Sequence, residues 1–204
     1  MEKNPIIEKL VYALRDPRTE RREFRESLEK VGEYLGIDIA KDLKTTQETV
    51  ETCLKRVASH QTLTESPVLV TILRAGLPLY NGLQRAFPDS KAGFIGAARD
   101  EETLQSTISY VALPPLEDRV VVLADTMIAT AGSIVDTVQL LEEYSPRQII
   151  VAGVFASKEG IERIQEYDPT IRVYAAVIDP DLNEKGFILP GCGDAGDRSY
   201  GEKL

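Results

Sequence analysis

Between Val120 and Ala124 the chain reads Val-Val-Val-Leu-Ala. Asp125 follows, then eight mostly small or polar residues ending at Ser133, and then a stretch in which Ile134, Val135, Val138 and Leu141 recur at helical spacing. An unbroken apolar, β-branched run of this length reads as a strand buried on both faces, and such strands belong to parallel sheets. The loop therefore stands at the carboxyl end of a strand and the amino end of a helix. Unpaired N–H groups and the helix macrodipole favour a phosphate there, with Thr130, Gly132 and Ser133 supplying hydroxyls and room for close backbone approach. A carboxylate would repel that phosphate, so Asp125 suits sugar hydroxyls or the water shell of a metal ion. The same segment also fits an ordinary α/β unit whose Thr or Ser only caps the helix. Neither the Gly-x-x-x-x-Gly-Lys-Ser/Thr loop nor the Gly-x-Gly-x-x-Gly fingerprint is present, which disfavours a nucleoside-triphosphate hydrolase or a dehydrogenase.

The strand, turn and helix plan recurs. Val68 to Leu73 reads as a buried strand, followed by Arg74-Ala-Gly-Leu-Pro78 and a helix through Phe87. Further strands are predicted at 92–98, 107–113, 120–124, 148–155 and 172–178, with a helix over 159–167. Alternation of this kind predicts an α/β fold with a mostly parallel sheet flanked by helices. Ligands of such sheets gather at the carboxyl ends of the strands, where Arg74, Arg99 and Asp125 all fall. Residues 5–36 read as helical, with Ile7, Leu10 and Leu14 on one face, then Phe24, Leu28, Val31 and Leu35, and Gly36 as the stop. Residues 45–65 are polar, with a strand pair near Glu48 to Val57.

With 204 residues, 43% of them hydrophobic, the chain can bury one full core, so a single domain over 1–204 is expected. Within it, 1–66 form a helical part with uncertain strands, 67–180 the α/β core, and 181–204 a ligand loop and terminus. A formal net charge of −9 argues against a nucleic-acid surface, which needs basic residues to displace counterions. No apolar run is long enough to span a bilayer and the first residues do not read as a leader, so a cytoplasmic protein without membrane contact is expected. Cys53 and Cys192 are far apart and His60 has no neighbouring acid or cysteine, which excludes the spacing of structural zinc and of a Cys/His nucleophile pair.

Residues 186–201 contain five glycines and one proline in sixteen positions, together with Asp194, Asp197 and Arg198. This composition predicts a loop with no helix. Its apolar Phe-Ile-Leu start and alternating glycines favour a binding loop over a frayed terminus, because glycine lets backbone polar groups come close to a flat ligand.

Four strings in order carry a resemblance: Ile72-Leu-Arg-Ala-Gly76, Arg99 with Glu101-Glu-Thr-Leu104, Asp125 to Ser133, and Pro190 to Asp197. In these the chain resembles the uracil phosphoribosyltransferase family of type I phosphoribosyltransferases over nearly its whole length, least in residues 40–66. The resemblance implies the family fold, with a small hood built from the N- and C-terminal segments. It also implies transfer of phosphoribose from 5-phosphoribosyl 1-pyrophosphate to uracil, giving uridine monophosphate and pyrophosphate, with Mg²⁺ held mainly through substrate and water rather than by direct protein ligands. It further implies a homodimer or higher homo-oligomer. Transferred by position, Asp125, Thr126, Met127, Ile128, Ala129, Thr130, Ala131, Gly132 and Ser133 hold the ribose 5-phosphate and ribose hydroxyls. Arg74 and Arg99 meet the pyrophosphate. Ile188, Gly193, Asp194 and Ala195 surround uracil, and Asp194, which also touches the pyrophosphate substrate, joins Arg99 and Asp125 as the catalytic residues. Asp194 would orient metal-bound water or take the proton from uracil N1.

The chain departs from the family at five places. Thr126 replaces proline and restores a backbone donor; Ala131 replaces the first of two glycines, at a cost of about 1 kcal/mol if the position needs positive φ. Ala98 replaces tyrosine, while Phe187 and Cys192 replace tyrosine and leucine, Cys192 being read as a small apolar filler. These changes leave two rival readings: the same transfer to another nucleobase such as a purine, and a non-catalytic nucleotide-sensing regulator with the same fold.

Overall fold

The computed structural model describes residues 4–99 and 106–203, without the side chains of Ala98, Arg99 and Ser106. The predicted contact of Arg99 and the string Glu101–Leu104 therefore fall outside the described residues. Helix α1 spans Pro5–Arg15; Asn4 caps it by accepting from the Ile6 N–H at 2.9 Å, and proline takes the first helical position. Helix α2, Arg21–Ala40, runs through the expected stop at Gly36. Glycine there serves close packing instead, since a Cβ would lie 2.4 Å from the Cβ of Ala86 on helix α3, Leu77–Ala86.

Strands β1, Thr45–Glu51, and β2, Val57–Leu63, form an antiparallel hairpin whose first strand is exposed at every residue. The main sheet contains β3 (Val68–Leu73), β4 (Ala92–Arg99), β5 (Ser106–Ala112), β6 (Val120–Ala124), β7 (Met127–Ile128), β8 (Gln148–Ser157) and β9 (Arg172–Asp179). Across it the order is β5, β4, β3, β6, β8 and β9. The short β7 continues the line of β6 along β8. Every pairing is parallel except β4 with β5. Alternation along the strands divides the core. Leu69, Val122 and Ile150 pack towards Leu28, Leu35 and Leu83 of α2 and α3. Val70, Leu123 and Val151 pack towards Ile134 and Val138 of α4 (Gly132–Glu142) and Ile164 of α5 (Lys158–Tyr167).

After β9 the short strands β10, Asp181–Leu182, and β11, Ile188–Leu189, pair antiparallel, and helix α6 covers Ala195–Tyr200. That helix corrects the expectation of a helix-free segment. Asp194 caps it by accepting from the Asp197 N–H at 2.8 Å, and Arg25 of α2 donates to the Ser199 carbonyl at 2.7 Å, so capping and tertiary contacts offset the glycine content. The Arg198 guanidinium donates to the carbonyls of Leu14, Asp16 and Cys192 and lies 4.2 Å from the Phe24 ring centroid. The N- and C-terminal segments are thereby bound into a small hood over the sheet. No helix among the described residues is long and apolar enough to cross a membrane.

Candidate active site

A cleft of about 570 Å³ opens at the carboxyl ends of β3, β6 and β7. Asp125, Met127, Ala129, Thr130, Ala131, Gly132 and Ser133 line one side, while Ile188, Gly193, Asp194 and Ala195 line the other. Two remote stretches singled out from the sequence thus share one cavity. Arg74 is not among the lining residues; it precedes Ala75, which is, and its Nη2 donates to Asp197 at 2.9 Å and to the Gly201 carbonyl at 3.3 Å.

The phosphate-type loop is built from the backbone. Ala131, the residue before α4, sits at φ 56° and ψ 13°, a left-handed conformation that an alanine side chain disfavours. The first intrahelical bond runs from the Val135 N–H to the Ala131 carbonyl at 2.9 Å, so the N–H groups of Gly132, Ser133 and Ile134 come before the helix can use them. No side chain caps this end. An anion is the natural partner for such amides.

Two predicted contact residues face away from the cavity. Strand alternation turns Met127 to the cleft and buries Ile128 under α4 and α5, against the space left by Gly153. Thr126 is fully buried, and its hydroxyl donates to the Ala75 carbonyl at 2.6 Å, tying the loop after β6 to the loop after β3. Its N–H, absent in a proline, and that of Met127 favour the ionised Asp125 carboxylate. Burial nevertheless dominates and pushes the Asp125 carboxyl up to about 7.

The sequence reading missed the supports behind the loop. Ser157 Oγ donates to the Ala129 carbonyl at 2.6 Å and accepts from the Gly160 N–H at 2.8 Å. A Cβ on Gly160 would lie 2.3 Å from that same carbonyl oxygen. Arg163 donates to the Thr130 carbonyl at 3.1 Å. On the other side, Gly193 has φ 84°, which requires glycine. Asp179 holds the neighbouring turn by accepting from Gly191 N–H at 3.0 Å while paired with Arg15 at 2.6 Å. Burial pushes the Cys192 thiol up to about 12, so it packs as an apolar filler and not as a nucleophile. Lys185, Gly186, Phe187, Gly196 and Lys203 also line the cleft. Lys185 immediately precedes the glycine-rich segment and Lys203 follows it by two positions, which was the available signal.

The fold matches solved structures. The AQ2163 protein from Aquifex aeolicus superposes with a TM-score of 0.91 at 34% identity, covering 98% of this chain and 96% of that one. A hypoxanthine-guanine phosphoribosyltransferase from Bacillus anthracis shares the fold at a TM-score of 0.53 and 14% identity, with 78% and 80% covered. Parallel sheet and strand-end cleft together give the chain the fold of that phosphoribosyltransferase. A family model described as Uracil phosphoribosyltransferase matches residues 1–202. Relatives bearing that name include a Halalkalibacterium halodurans protein, 39% identical over 98% of this chain and 96% of its own, and a Thermococcus gammatolerans protein, 36% identical over 100% and 92%. The chain belongs to the uracil phosphoribosyltransferase family.

Proposed function

We propose that this protein transfers the phosphoribosyl group of 5-phosphoribosyl 1-pyrophosphate to N1 of uracil, in pyrimidine salvage. The observation that carries this reading is the shared cleft: it is lined by an amide-bearing loop at 130–133 and a glycine-rich loop at 193–195, together with the carboxylates of Asp125 and Asp194. The 5-phosphate takes the amides at the start of α4, and the ribose hydroxyls donate to Asp125. Uracil presents alternating donors and acceptors on one edge, which the main chain at Ile188, Gly193 and Ala195 matches without charged side chains. The C1–N1 bond forms as the bond from C1 to the pyrophosphate oxygen breaks, and the N1 proton leaves. Positive charge grows on the sugar while negative charge grows on the leaving group, so Arg74 and Arg99 at the pyrophosphate lower the barrier.

Among the described residues no group of three or more His, Cys, Asp or Glu side chains could hold a metal ion. The cleft nevertheless offers the carboxylate oxygens of Asp125 and Asp194, hard donors that suit Mg²⁺ and its water shell. When bound with the substrate, Mg²⁺ neutralises charge on the pyrophosphate. Asp194 orients that water shell or accepts the N1 proton.

The protein works as a homodimer or higher homo-oligomer in the cytoplasm. A two-stranded hairpin is marginal by itself, and β1–β2 leaves Val50, Leu54 and Val57 exposed, which supports burial against a second copy. Cys53 and Cys192 are free thiols, in keeping with a reducing compartment. The test is a panel of nucleobases assayed with 5-phosphoribosyl 1-pyrophosphate and Mg²⁺. Uracil should release pyrophosphate and form uridine monophosphate in equal amounts. Turnover of hypoxanthine or guanine without uracil, or nucleotide binding without pyrophosphate release, would overturn the reading.

A further inference from the structure

Asp197 closes the motif in the glycine-rich segment, yet the reaction as described gives it no task. Its carboxylate Oδ1 accepts from Arg74 Nη2 at 2.9 Å, across 123 positions of sequence, while its N–H donates to Asp194 Oδ1 at 2.8 Å. One residue therefore touches both the arginine assigned to the pyrophosphate and the carboxylate assigned to the reaction centre. The Arg74 side chain is 41% exposed, so without a partner its long stem would sample many rotamers. The second contact of Nη2, to the Gly201 carbonyl, also comes from the end of α6. Among the described residues Arg74 Nε and Nη1 make no hydrogen bond, leaving that side of the guanidinium to meet a ligand. We propose that Asp197 is a positioning residue. It holds the Arg74 guanidinium in the orientation that receives the pyrophosphate, and it links that orientation to the short helix whose first residues line the base side of the cleft.

This rests on the transferase reading, and the experiment separates the two. Wild-type protein and Asp197→Asn are compared by calorimetry with 5-phosphoribosyl 1-pyrophosphate plus Mg²⁺ and, separately, with uridine monophosphate, which carries no pyrophosphate. Asparagine keeps the N–H that holds Asp194 but loses the charge that holds Arg74. The variant should bind the pyrophosphate substrate about tenfold more weakly, and uridine monophosphate within about twofold of wild type. In an Arg74→Ala background the Asp197→Asn change should have no further effect. Equal weakening of both ligands would make Asp197 a structural support of α6 only and overturn the proposal. So would unchanged or tighter binding of the pyrophosphate substrate, as expected if Asp197 merely repels it, and so would additive effects of the two substitutions. Failure of the wild-type protein to bind either ligand would instead overturn the transferase reading. Thermal unfolding of each variant, measured alongside, identifies any loss of fold; if Asp197→Asn is unfolded, Asp197→Glu, which keeps the charge, must restore the ligand selectivity or the proposal fails.

Discussion

The hydroxyl of Thr126 reaches the carbonyl of Ala75 at 2.6 Å, so the loop that follows β6 is fastened to the loop that follows β3. Replacing Thr126 by valine removes that bond and should cost about 0.5–1.5 kcal/mol in urea denaturation. Thr126→Pro should cost more than Thr126→Val, although proline is the residue of the family pattern, because it also removes an N–H that favours the ionised Asp125 carboxylate. In turnover, Arg99→Ala should still be far more damaging than Thr126→Pro. Equal, small effects in a steady-state assay would contradict the roles given to both.

Ala131 carries a left-handed backbone with a side chain. Ala131→Gly should relieve about 1 kcal/mol of strain, partly offset by the larger unfolded-state entropy of glycine, so a small net stabilisation of up to about 1 kcal/mol is expected. Chemical denaturation of the two proteins reads it directly. A clear destabilisation would show that the buried methyl group matters more than the strain.

Gly160 lies directly under the loop. Alanine is ordinarily the better helix former by about 1 kcal/mol, yet here its Cβ would press on the Ala129 carbonyl. Gly160→Ala should therefore displace the loop and weaken uridine monophosphate binding by about tenfold or more, without unfolding the protein. Unchanged affinity would mean that the loop yields freely and is not held by α5.

The Asp125 carboxyl, ordinarily at 3.8, is raised to about 7 by burial. A raised acid contributes stability that is fully present below 3.8 and is lost as the pH climbs through 7, so the free protein should become less stable over that window. Ribose hydroxyls donating to the carboxylate favour its ionised form. Binding of uridine monophosphate at about pH 6 should then release more protons from the wild type than from Asp125→Asn, in which only the nucleotide's phosphate, with its second pKa at about 6, contributes; calorimetry in buffers of different ionisation enthalpy reads the difference. Equal proton release from the two proteins would place Asp125 away from the ribose.

What could be read in the chain was decided by local signals. Unbroken runs such as Val120–Ala124 and Val68–Leu73 announce buried parallel strands because both of their faces must be apolar. Asp125, Ser133 and Gly193 were legible because strand ends, helix starts and glycine-rich turns each have their own residue chemistry. Helix α6 was hidden because its stability comes from Arg25, Arg74 and the Leu14 and Asp16 carbonyls that Arg198 meets as much as from its own sequence. Ser157 and Gly160 were hidden for a related reason: they act on the loop through space, and neither belongs to the motif they support. The turn of Ile128 away from the cleft depends on the short β7, which no periodicity in two residues could reveal.

The measurement that bears most directly on the account is a crystal structure with uridine monophosphate bound. The phosphate should lie on the amides of residues 130–133, with the ribose at Asp125 and the pyrimidine edge against the main chain of Ile188, Gly193 and Ala195. A nucleotide seated outside this cleft, or bound in it with phosphate and base exchanged, would contradict the assignment of its two sides.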